Sequence, residues 1–403
     1  MHRPRLRQIR PPNSGSPASN SIVPWQPATT PRTTGMTDSH AFDETMLHRA
    51  LVLARRGIGF VEPNPAVGAV VVDARGQVLG EGWHEQFGGP HAEVHALAAA
   101  GAAALGATLY VTLEPCCHFG KTPPCTQAVI AAGIRRVVVA TTDPATHGAG
   151  HGIDELRRAG IDVEVGLLES QAQRLIAPFT KLMTTGLPWV HAKWAMTLDG
   201  KIATKTGSSQ WISNVHSRSV VHQLRGRMDA IVTGLGTVIA DDPQLTARPA
   251  GPRIATRIVL DSLCRISADS RLVQTAREIP VMVVTTSAAP ATQTESLRLA
   301  GVEVLVVPAS SNQHPDLLQL MQELGRRKMT NVLIEAGPQV LGSAFDQRLV
   351  DEVHAFIAPK LVGGDGAPSP LAGLGIGAMA DAVELQLADF QVLGRDVYVH
   401  GIV

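Results

Sequence analysis

Three of the four cysteines in this 403-residue chain, Cys116, Cys117 and Cys125, fall inside one short stretch, and His91 precedes them. The flanking pattern predicts a strand that ends just before the cysteines and a helix start on either side of it. A metal site made from His91 and two of the thiols therefore requires a strand end and two helix starts to meet at one point. An imidazole and two thiolates suit tetrahedral zinc, and three protein ligands leave a fourth position for water. We predict a zinc site here, with Glu93 beside it to move protons.

The residue types around this site favour hydrolytic removal of an amino group. Displacing an amino group from a pyrimidine ring at neutral pH needs an activated water, and zinc lowers the pKa of bound water to about 7. In zinc deaminases a glutamate that is not a metal ligand carries the protons. Glu93 stands two residues after His91, where it can take that role. Cys116 follows a predicted strand, and we expect it to start another helix, whose N-terminal dipole favours the thiolate.

Two other metal sites compete with this interpretation. His91 and His95 can share a helix face as ligands of a hydrolase-type site, but the order His-x-Glu-x-His differs from the His-Glu-x-x-His that such sites use. We expect His95 to be a packing residue on the helix. A purely structural zinc needs a fourth protein ligand, either Cys117 or His118. Cys117 is adjacent to Cys116 and cannot readily point the same way.

The bulk composition limits the partners. Lys plus Arg and Asp plus Glu number 35 each and aromatic residues make up 4% of the chain, so we expect no basic, aromatic-lined face for nucleic acid. The uncharged run from 96 to 113 is divided by Gly101 and Gly106 into a helix end and a strand, which argues against a membrane span. So few cysteines, clustered in this way, indicate metal chemistry in a reducing compartment, and we expect a cytoplasmic protein.

The order of predicted elements indicates a tail and two α/β domains, 1–37, 38–185 and 186–403. The tail contains no Asp or Glu and seven prolines, and we predict that it is disordered. In the first domain, helices are predicted at 43–56, about 91–104, 124–132 and 152–159, and strands at 66–72, 78–83, 108–113, 135–141 and 161–165. The first two strands form a hairpin. The alternation that follows predicts a mostly parallel sheet with helices on both faces and with ligands at the carboxyl ends of its strands.

A closing helix and linker at 168–186 lead to a second alternating series. Strands are predicted at 189–196, 229–233, 257–261, 280–285, 302–307 and 331–335, helices near 216–226, 294–300 and 316–327, and an antiparallel edge at 383–393 and 396–403. The dinucleotide fingerprint G-x-G-x-x-G is absent. Two Gly-containing turns, 233–237 and 336–343, follow predicted strands, and the second turns into a helix. They favour a nucleotide site, and the alternative is that they are ordinary strand-to-helix turns.

Several motifs carry a family resemblance. His91-Ala92-Glu93 with Glu114-Pro115-Cys116 resembles the cytidine deaminase superfamily. The long gap before Cys125, with Gly-Lys-Thr-Pro-Pro at 120–124, and Pro-Asn-Pro-Ala-Val-Gly at 63–68 are similar to the bacterial bifunctional riboflavin-pathway family, a pyrimidine deaminase fused to a reductase. The resemblance implies an α/β protein in which a cytidine-deaminase-like three-layer α/β/α domain precedes a dihydrofolate-reductase-like α/β domain.

The same resemblance implies roles for residues of the first domain. The zinc ligands are His91, Cys116 and Cys125, one Zn²⁺ per chain. Glu93 is the catalytic proton shuttle. Asn64 contacts the pyrimidine, and His84 and Lys121 lie near the substrate phosphate. The alternative for Asn64 is a turn residue between two prolines.

In the second domain three blocks, 193–203, 207–212 and 241–248, resemble the reductase half of that family. The NADPH contacts implied are Ala195, Trp211, Thr237, Asp241, Ser262, Gly337, Pro338, Gln339, Val340, Leu341, Gly342 and Ser343. The substrate contacts implied are Ser209, Arg225, Leu245, Arg248 and Glu335. Two of these, Arg225 and Arg248, can clamp a sugar phosphate through charge-assisted bonds. No side chain is an evident proton donor for the reduction.

Two positions depart from the family pattern. The chain has Asp143-Pro144-Ala145-Thr146 where the family often has Asp-Pro-Asn-Pro, and Cys117 stands where a Ser is usual. Because neither position is a ligand or the proton shuttle, these departures affect substrate contacts more than the chemistry.

The resemblance implies an enzyme of riboflavin biosynthesis with two consecutive activities. The first domain hydrolyses an amino group from a diaminopyrimidinone that carries ribosylamine phosphate, and the second reduces the ribosyl group of the resulting aminouracil to ribityl with NADPH. We expect a small phosphorylated pyrimidine as the substrate, no nucleic-acid or membrane partner, and a homo-oligomer. The alternatives are a nucleic-acid-editing deaminase, a non-catalytic zinc scaffold, and a pteridine or folate reductase fused to a deaminase.

Overall fold

The computed structural model describes residues 38–145 and 149–403. The predicted disordered tail, 1–37, lies outside the described residues. Two β-sheets organise the described chain, one of five strands and one of nine. Helices accompany both sheets, which confirms the predicted α/β class.

The first sheet and its helices occupy the part of the chain before residue 166. The elements are α1 (Asp38–Ala54), β1 (Gly68–Val72), β2 (Val78–Trp83), α2 (Ala92–Ala100), β3 (Thr108–Val111), α3 (Cys125–Ala131), β4 (Arg136–Val139), α4 (His151–Arg158) and β5 (Asp162–Val165). The strand order is β2-β1-β3-β4-β5. The hairpin β1–β2 is confirmed, and β3, β4 and β5 are parallel. The expectation of a mostly parallel sheet is confirmed, and β1 is the one strand that runs antiparallel to both of its neighbours, β2 and β3. β2 and β3, which are joined through α2, are not neighbours in the sheet. β1 lies between them and runs antiparallel to both.

Alternate side chains of the first sheet form two separate cores, because successive residues of a strand point to opposite faces. Val71, Val111 and Val139 pack with α2, α3 and α4. Val70 and Val138 pack with α1 and with a later helix. All five are buried, and each contributes roughly 1.5–3 kcal/mol of burial free energy. The three-layer α/β/α arrangement is therefore confirmed.

Glycines let α2 approach β2 closely. A Cβ on Gly80 would lie 2.2 Å from the carbonyl oxygen of Ala96, and one on Gly82 would lie 2.4 Å from that of Ala92. A larger side chain at either position would push the helix away from the strand. The first turn of α2, which carries Glu93, is therefore positioned by the backbone of β2.

Two helices, α5 (Glu169–Leu175) and α6 (Ala177–Thr185), connect the sheets where the sequence predicts a single closing helix. The α6 helix ends at Gly186, whose φ of 71° is the left-handed conformation common after a helix.

The second sheet contains the remaining elements. They are β6 (Trp189–Thr197), α7 (Val215–Arg225), β7 (Ala230–Gly234), α8 (Leu235–Asp241), β8 (Thr256–Leu260), α9 (Arg271–Gln274), β9 (Val281–Thr285), α10 (Ala291–Leu299), β10 (Glu303–Val306), α11 (Leu317–Arg326), β11 (Asn331–Ile334), α12 (Pro338–Asp346), β12 (Glu352–Ala358), β13 (Gln386–Leu393) and β14 (Asp396–Ile402). The strand order is β10-β9-β8-β7-β11-β6-β12-β14-β13. Strands from β10 to β12 are parallel, and β14 is antiparallel to both of its neighbours. The predicted antiparallel edge is confirmed, whereas β12 was not predicted because Glu352 and His354 interrupt its apolar run.

The two halves of the chain are in contact through ion pairs. The Arg253 guanidinium lies 2.6 Å from Asp229 Oδ1 and 3.2 Å from Glu62 Oε2, which belongs to the first half. Lys181 of α6 contacts Asp351 at 2.5 Å. Because these side chains are mostly buried, the pairs are less screened than surface pairs and hold the halves in one arrangement.

No helix among the described residues combines the length and the apolar character that crossing a membrane requires.

Candidate active sites

The first candidate site is a cavity of about 390 Å³ in the first half. It lies beyond the end of β3 and beside the starts of α2 and α3. Residues singled out from the sequence line it together, namely Asn64, His91, Glu93 and Cys116. A strand end and two helix starts meet here, as predicted, but the second helix starts at Cys125, and the expectation that Cys116 starts a helix is wrong.

His91, Cys116 and Cys125 converge at this cavity. Nδ1 of His91 lies 3.5 Å from Sγ of Cys116 and 3.2 Å from Sγ of Cys125. All three donor atoms lie within 4.8 Å of one another. A tetrahedral zinc ion separates such ligands by about 3.5 Å, so the donor set fits zinc. Cys117 is not part of this group.

The protein environment favours the thiolate form of Cys116. Hydrogen bonds with the Cys125 thiol and with His91 hold the pKa of Cys116 well below its usual range, although burial opposes the change. The backbone N–H of Cys125, at the start of α3, also donates to Sγ of Cys116 at 3.4 Å. A metal ligand that is already deprotonated binds a cation without releasing a proton.

Glu93 lies in the first turn of α2 and is 3% exposed. Its Oε2 has no hydrogen-bond partner among the described residues. Burial raises the pKa of Glu93 to about 7. A buried carboxylate oxygen without a partner is uncommon in proteins and points to a bound group that completes the site. His95, on the same helix, is not among the clustered metal donors and packs on Gly82 of β2.

His84 fixes the orientation of Asn64. Nδ1 of His84 lies 3.0 Å from the carbonyl oxygen of Pro90, so this nitrogen must carry the donated proton. Burial lowers the pKa of His84 and keeps the ring neutral, which makes Nε2 an acceptor. Nδ2 of Asn64 donates to it at 3.3 Å, and this directs the other amide atom, Oδ1, away from His84. Both ring nitrogens of His84 are occupied, so the geometry does not support the expected contact with a phosphate.

Glu114 holds the cysteine loop, a role that the sequence does not reveal. Its carboxylate accepts hydrogen bonds of 2.9–3.2 Å from the backbone N–H groups of Asp143, Gly150, Gly152 and Ile153. A Cβ on Gly152 would lie 2.1 Å from the carbonyl oxygen of Pro115. These contacts fix the segment before Cys116 against the start of α4. The only signal in the sequence is the position of Glu114 two residues before a ligand.

Other residues of the cavity come from separate parts of the chain. Lys121 lines it, with Nζ 3.8 Å above the centre of the Phe87 ring. Asp143 and Ala145, from the segment that departs from the family pattern, line it as well. Lys328 of the second half is a lining residue that the sequence does not single out. The first cavity is therefore completed by the second half.

The second candidate site centres on Glu335, which directly follows β11. Arg225 donates to its carboxylate twice, from Nε at 2.9 Å and from a terminal nitrogen at 2.7 Å, and Lys193 donates at 3.1 Å. Burial alone would raise the pKa of Glu335, but the two cations outweigh it and hold the pKa well below its ordinary value. A further Arg225 nitrogen donates to the carbonyl oxygen of Thr246. The expected phosphate clamp by Arg225 is therefore not supported, because its guanidinium is already committed to Glu335.

The two predicted turns lie side by side because β7 and β11 are neighbours in the sheet. A Cβ on Gly234 would lie 3.1 Å from a methyl carbon of Val340, and one on Gly337 would lie 3.7 Å from Oγ1 of Thr237. Helix α12 begins immediately after Gly337, so Pro338 to Ser343 form its first turns. This edge of the sheet offers backbone N–H groups to a pyrophosphate.

The other predicted residues of the second half are distributed around the same edge. Ser209 donates to Asp241 at 2.9 Å, which joins a predicted substrate contact to a predicted cofactor contact. Ser262 follows β8 and lies 3.3 Å from the His314 ring. Trp211 is 64% exposed and stacks with Arg218.

Three predicted contact residues of the second half remain. Ala195 is half-buried on β6, and Leu245 is buried. Arg248 is exposed, and one of its nitrogens donates to Gln244 and Thr246.

Comparisons with known proteins match each half separately. Residues 40–141 match the family model of the cytidine and deoxycytidylate deaminase zinc-binding region, and residues 188–399 match that of the RibD C-terminal domain.

Similarity to curated relatives and solved structures extends over nearly the whole chain. The riboflavin biosynthesis protein RibD of Actinobacillus pleuropneumoniae is 42% identical over 90% of this chain and 95% of its own length. That of Escherichia coli K12 is 41% identical over 89% and 98%. The structure of Acinetobacter baumannii RibD superposes with a TM-score of 0.79 at 37% identity, covering 90% of this chain and 99% of that one. The diaminohydroxyphosphoribosylaminopyrimidine deaminase/5-amino-6-(5-phosphoribosylamino)uracil reductase of Thermotoga maritima gives 0.77 at 35%, with the same coverage. The chain belongs to the RibD family of riboflavin biosynthesis proteins, which joins a deaminase domain of the zinc-binding class to a reductase domain.

Proposed function

We propose that this chain performs two consecutive reactions of riboflavin biosynthesis. The first half, residues 38–185, removes an amino group hydrolytically from a diaminopyrimidinone that carries ribosylamine phosphate. The second half, residues 186–403, reduces the ribosyl group of the product to ribityl with NADPH. The two separate sheets, each with its own candidate site, support this division, and Gly186 is where we place the boundary.

The deamination depends on Glu93. A zinc ion held by His91, Cys116 and Cys125 would lower the pKa of a water in the open fourth position to about 7. Glu93 accepts a proton from the attacking water and delivers it to the ring nitrogen, and it then passes the proton of the newly added hydroxyl group to the departing ammonia. Its pKa of about 7 suits a group that must both accept and release a proton near neutral pH. The observation that carries the proposal is the buried Oε2 of Glu93, which has no partner among the described residues and faces the same cavity as the metal donors.

Substrate recognition in the first cavity is proposed to combine one amide and two lysines. His84 orients Asn64 so that Oδ1 can accept from the N–H groups of the pyrimidine. Lys121 and Lys328 bring positive charge to the cavity wall from two separate parts of the chain. A phosphate between two ammonium groups would be bound by charge-assisted hydrogen bonds, and we place the substrate phosphate there.

The reduction is proposed to occur at the carboxyl edge of the second sheet. NADPH would lie along Ala195, Trp211, Thr237, Asp241 and Ser262, with its pyrophosphate at the loop from Gly337 to Ser343. Ser209, Leu245, Arg248 and Glu335 hold the substrate, and Arg225 acts by fixing the Glu335 carboxylate. The open-chain form of the ribosylamine accepts hydride at its first carbon, so alignment and exclusion of water are the main tasks of the protein.

We also propose that the chain is a homo-oligomer that associates through β13. This edge strand exposes Phe390 and Val392 by 67% and 77%. An apolar edge strand with unpaired backbone groups is a surface that proteins usually cover. A second copy of the chain offers the same edge and can cover it by symmetric pairing.

We propose a cytoplasmic location because the cysteines are not paired in disulfide bonds. All four are free thiols. A reducing compartment preserves free thiols and thiolate ligands.

The test is to separate the two activities with Glu93→Gln. Ammonia release should fall by roughly 10²–10⁴-fold, the usual contribution of a general acid–base group, whereas NADPH oxidation on the already deaminated substrate should be unchanged. Glu85→Gln, which changes an exposed glutamate near the same helix, is the matched control. Equal loss of both activities in Glu93→Gln would show that the division into two sites is wrong.

A further inference from the structure

A second group of metal-binding side chains lies between the two halves of the chain. It borders a cavity of about 300 Å³ that Glu62 and Pro65 line from the first half and His191, Glu352 and His354 line from the second. None of the three zinc-cluster residues lines this cavity. Asn64, Pro65 and Phe179 line both cavities, but the reactions proposed above use none of His191, Glu352 and His354.

Strand register brings these side chains together. β12 lies between β6 and β14, with Glu352 opposite His191 of β6 and His354 opposite His400 of β14. Residues two apart on a strand share a face, and so do directly paired residues of neighbouring strands. Four side chains from three strands therefore project from the same face of the sheet towards the first half.

The donor atoms have the spacing of a metal site. Nδ1 of His191 lies 3.2 Å from Nε2 of His354. The two carboxylate oxygens of Glu352 lie 3.4 Å from His191 Nδ1 and 3.3 Å from His354 Nε2. A zinc-like ion with bonds of 2.0–2.2 Å separates its ligands by about 3.3–3.5 Å. One ion can therefore be reached by all three side chains without rearrangement.

Hydrogen bonds to surrounding residues orient the rings of His191 and His354 so that one nitrogen of each faces the other. Nε2 of His191 lies 3.3 Å from Oδ1 of Asn331, which can only accept, so the proton is on Nε2, and in the neutral ring the Nδ1 lone pair faces inward. Nδ1 of His354 lies 2.7 Å from the Tyr398 hydroxyl, which can accept its proton and leave Nε2 as the inward atom. Outer hydrogen bonds of this kind fix the tautomer and orientation of histidines that bind metals.

The carboxylate is held in the same way. Trp189 Nε1 donates to one oxygen of Glu352 at 2.8 Å, and His400 Nε2 lies 2.5 Å from the other. The His400 side chain is 37% exposed, so it marks a path from solvent to the cluster. An entry path and an oriented set of three ligands are what a binding site for an ion requires.

We propose that His191, Glu352 and His354 bind a divalent first-row transition metal ion at the interface between the two halves. Two imidazoles and one carboxylate form a set that suits zinc and its neighbours in the series and lacks the thiolates of the first cluster. The ion joins β6 to β12, with solvent from the cavity completing its coordination. This site is independent of the zinc site proposed for deamination.

Metal stoichiometry tests the proposal on the full chain. The purified protein is stripped with a chelator, reloaded with Zn²⁺, desalted and measured by elemental mass spectrometry. We expect two ions per chain. A Cys116→Ser and Cys125→Ser double variant should retain one, and Glu352→Gln or His191→Gln should also retain one. One ion per chain in the unsubstituted protein, with the same value in Glu352→Gln and His191→Gln, would overturn the proposal.

Cobalt identifies which site each variant keeps. Co²⁺ bound by thiolates gives an intense charge-transfer absorption, whereas Co²⁺ bound by imidazole and carboxylate gives only weak d–d bands. The double cysteine variant should show the weak bands alone, and Glu352→Gln should keep the charge-transfer band, which also shows that its first half is folded. Loss of all cobalt from the double cysteine variant, while its circular dichroism is unchanged, would contradict a second site.

Discussion

Glu93 is a buried glutamate and Glu335 a mostly buried one, each at a candidate active site, and the charges that surround them differ. Glu93 has no cationic side chain bonded to its orphaned oxygen, and burial raises its pKa to about 7. The Glu335 side chain is 15% exposed; its partial burial would raise its pKa, but bonds from Arg225 and Lys193 hold the pKa well below the ordinary value. The first is suited to exchange protons, and the second is suited to stay charged and hold its neighbours. The comparison shows that burial alone does not define a catalytic carboxylate, because the bonded partners decide its protonation.

Among the substitutions that test this comparison of the two glutamates, Glu335→Gln is expected to have the largest effect. The substitution leaves Arg225 and Lys193 without their counter-charge in a buried setting, which costs about 3–5 kcal/mol. We expect the second half to lose that stability, measured by denaturant unfolding followed through tryptophan fluorescence, with ammonia release unchanged under native conditions. A loss below about 1 kcal/mol, the value of an exposed pair, would contradict the account.

The same variant has a defined pH dependence. Because the folded-state pKa of Glu335 is depressed, its stabilising contribution is present above the unfolded-state value of about 4.3 and is lost as pH falls through the folded-state pKa. The stability difference between the unsubstituted chain and Glu335→Gln should therefore be constant from about pH 6 to 8 and shrink below about pH 4. A difference that grew on acidification would reverse the sign of the argument.

The next largest effect tests how Glu93 is positioned. In Gly82→Ala the new Cβ meets the backbone of α2 at 2.4 Å and displaces the turn that carries Glu93. A misplacement of about 1 Å at a reacting group costs on the order of 10²-fold in rate. We expect that loss in ammonia release and no change in NADPH oxidation. Gly377→Ala, whose Cβ meets nothing within 4 Å, is the control, and equal rates for both variants would contradict the positioning argument.

A smaller effect is expected from the residue that the second half contributes to the first cavity. Lys328→Ala removes one of two cavity lysines and should raise the KM of deamination by about 10-fold, equivalent to roughly 1.4 kcal/mol for a lost charge-assisted bond. kcat and NADPH oxidation should stay the same. Arg326→Ala changes a nearby exposed cation that does not line the cavity. If both substitutions raised KM equally, general electrostatics and not a specific contact would be responsible.

The smallest kinetic effect is expected at the sheet edge, away from both glutamates. Phe390→Glu with Val392→Lys places opposite charges on β13 and should shift the chain towards monomers in sedimentation velocity, because it removes exposed apolar area. Both catalytic rates should change less than about 2-fold, in the range of ordinary surface substitutions. An unchanged sedimentation coefficient would exclude β13 as the contact.

The clustering of His91, Cys116 and Cys125 could be predicted because the choice of metal-binding residues depends on residue type and on local spacing. His91, Cys116 and Cys125 are close in the chain, and each adjoins an element boundary that the apolar pattern reveals. The alternation of strands and helices likewise gave most element positions. The position of β1 between β2 and β3 could not be predicted, because it depends on how the chain crosses over after β2 and not on the residues of β1 itself.

The contacts of the second site, and those between the two halves, were harder to predict from the sequence. The commitment of Arg225 to Glu335 depends on how α7 and β11 meet, and the place of Lys328 in the first cavity depends on how the halves dock. β12 was not predicted because its polar residues face inward at the interface. Each of these features arises from contacts between residues that are far apart in the chain.

The most direct test of the central claim, two consecutive reactions in one chain, is product analysis of the purified protein with the diaminopyrimidinone ribosylamine phosphate. Without NADPH we expect one ammonia per substrate and accumulation of the ribosylated aminouracil. With NADPH we expect the ribityl product and one NADPH oxidised per ammonia released. Oxidation of NADPH without ammonia release, or ammonia release whose product never consumes NADPH, would contradict the account.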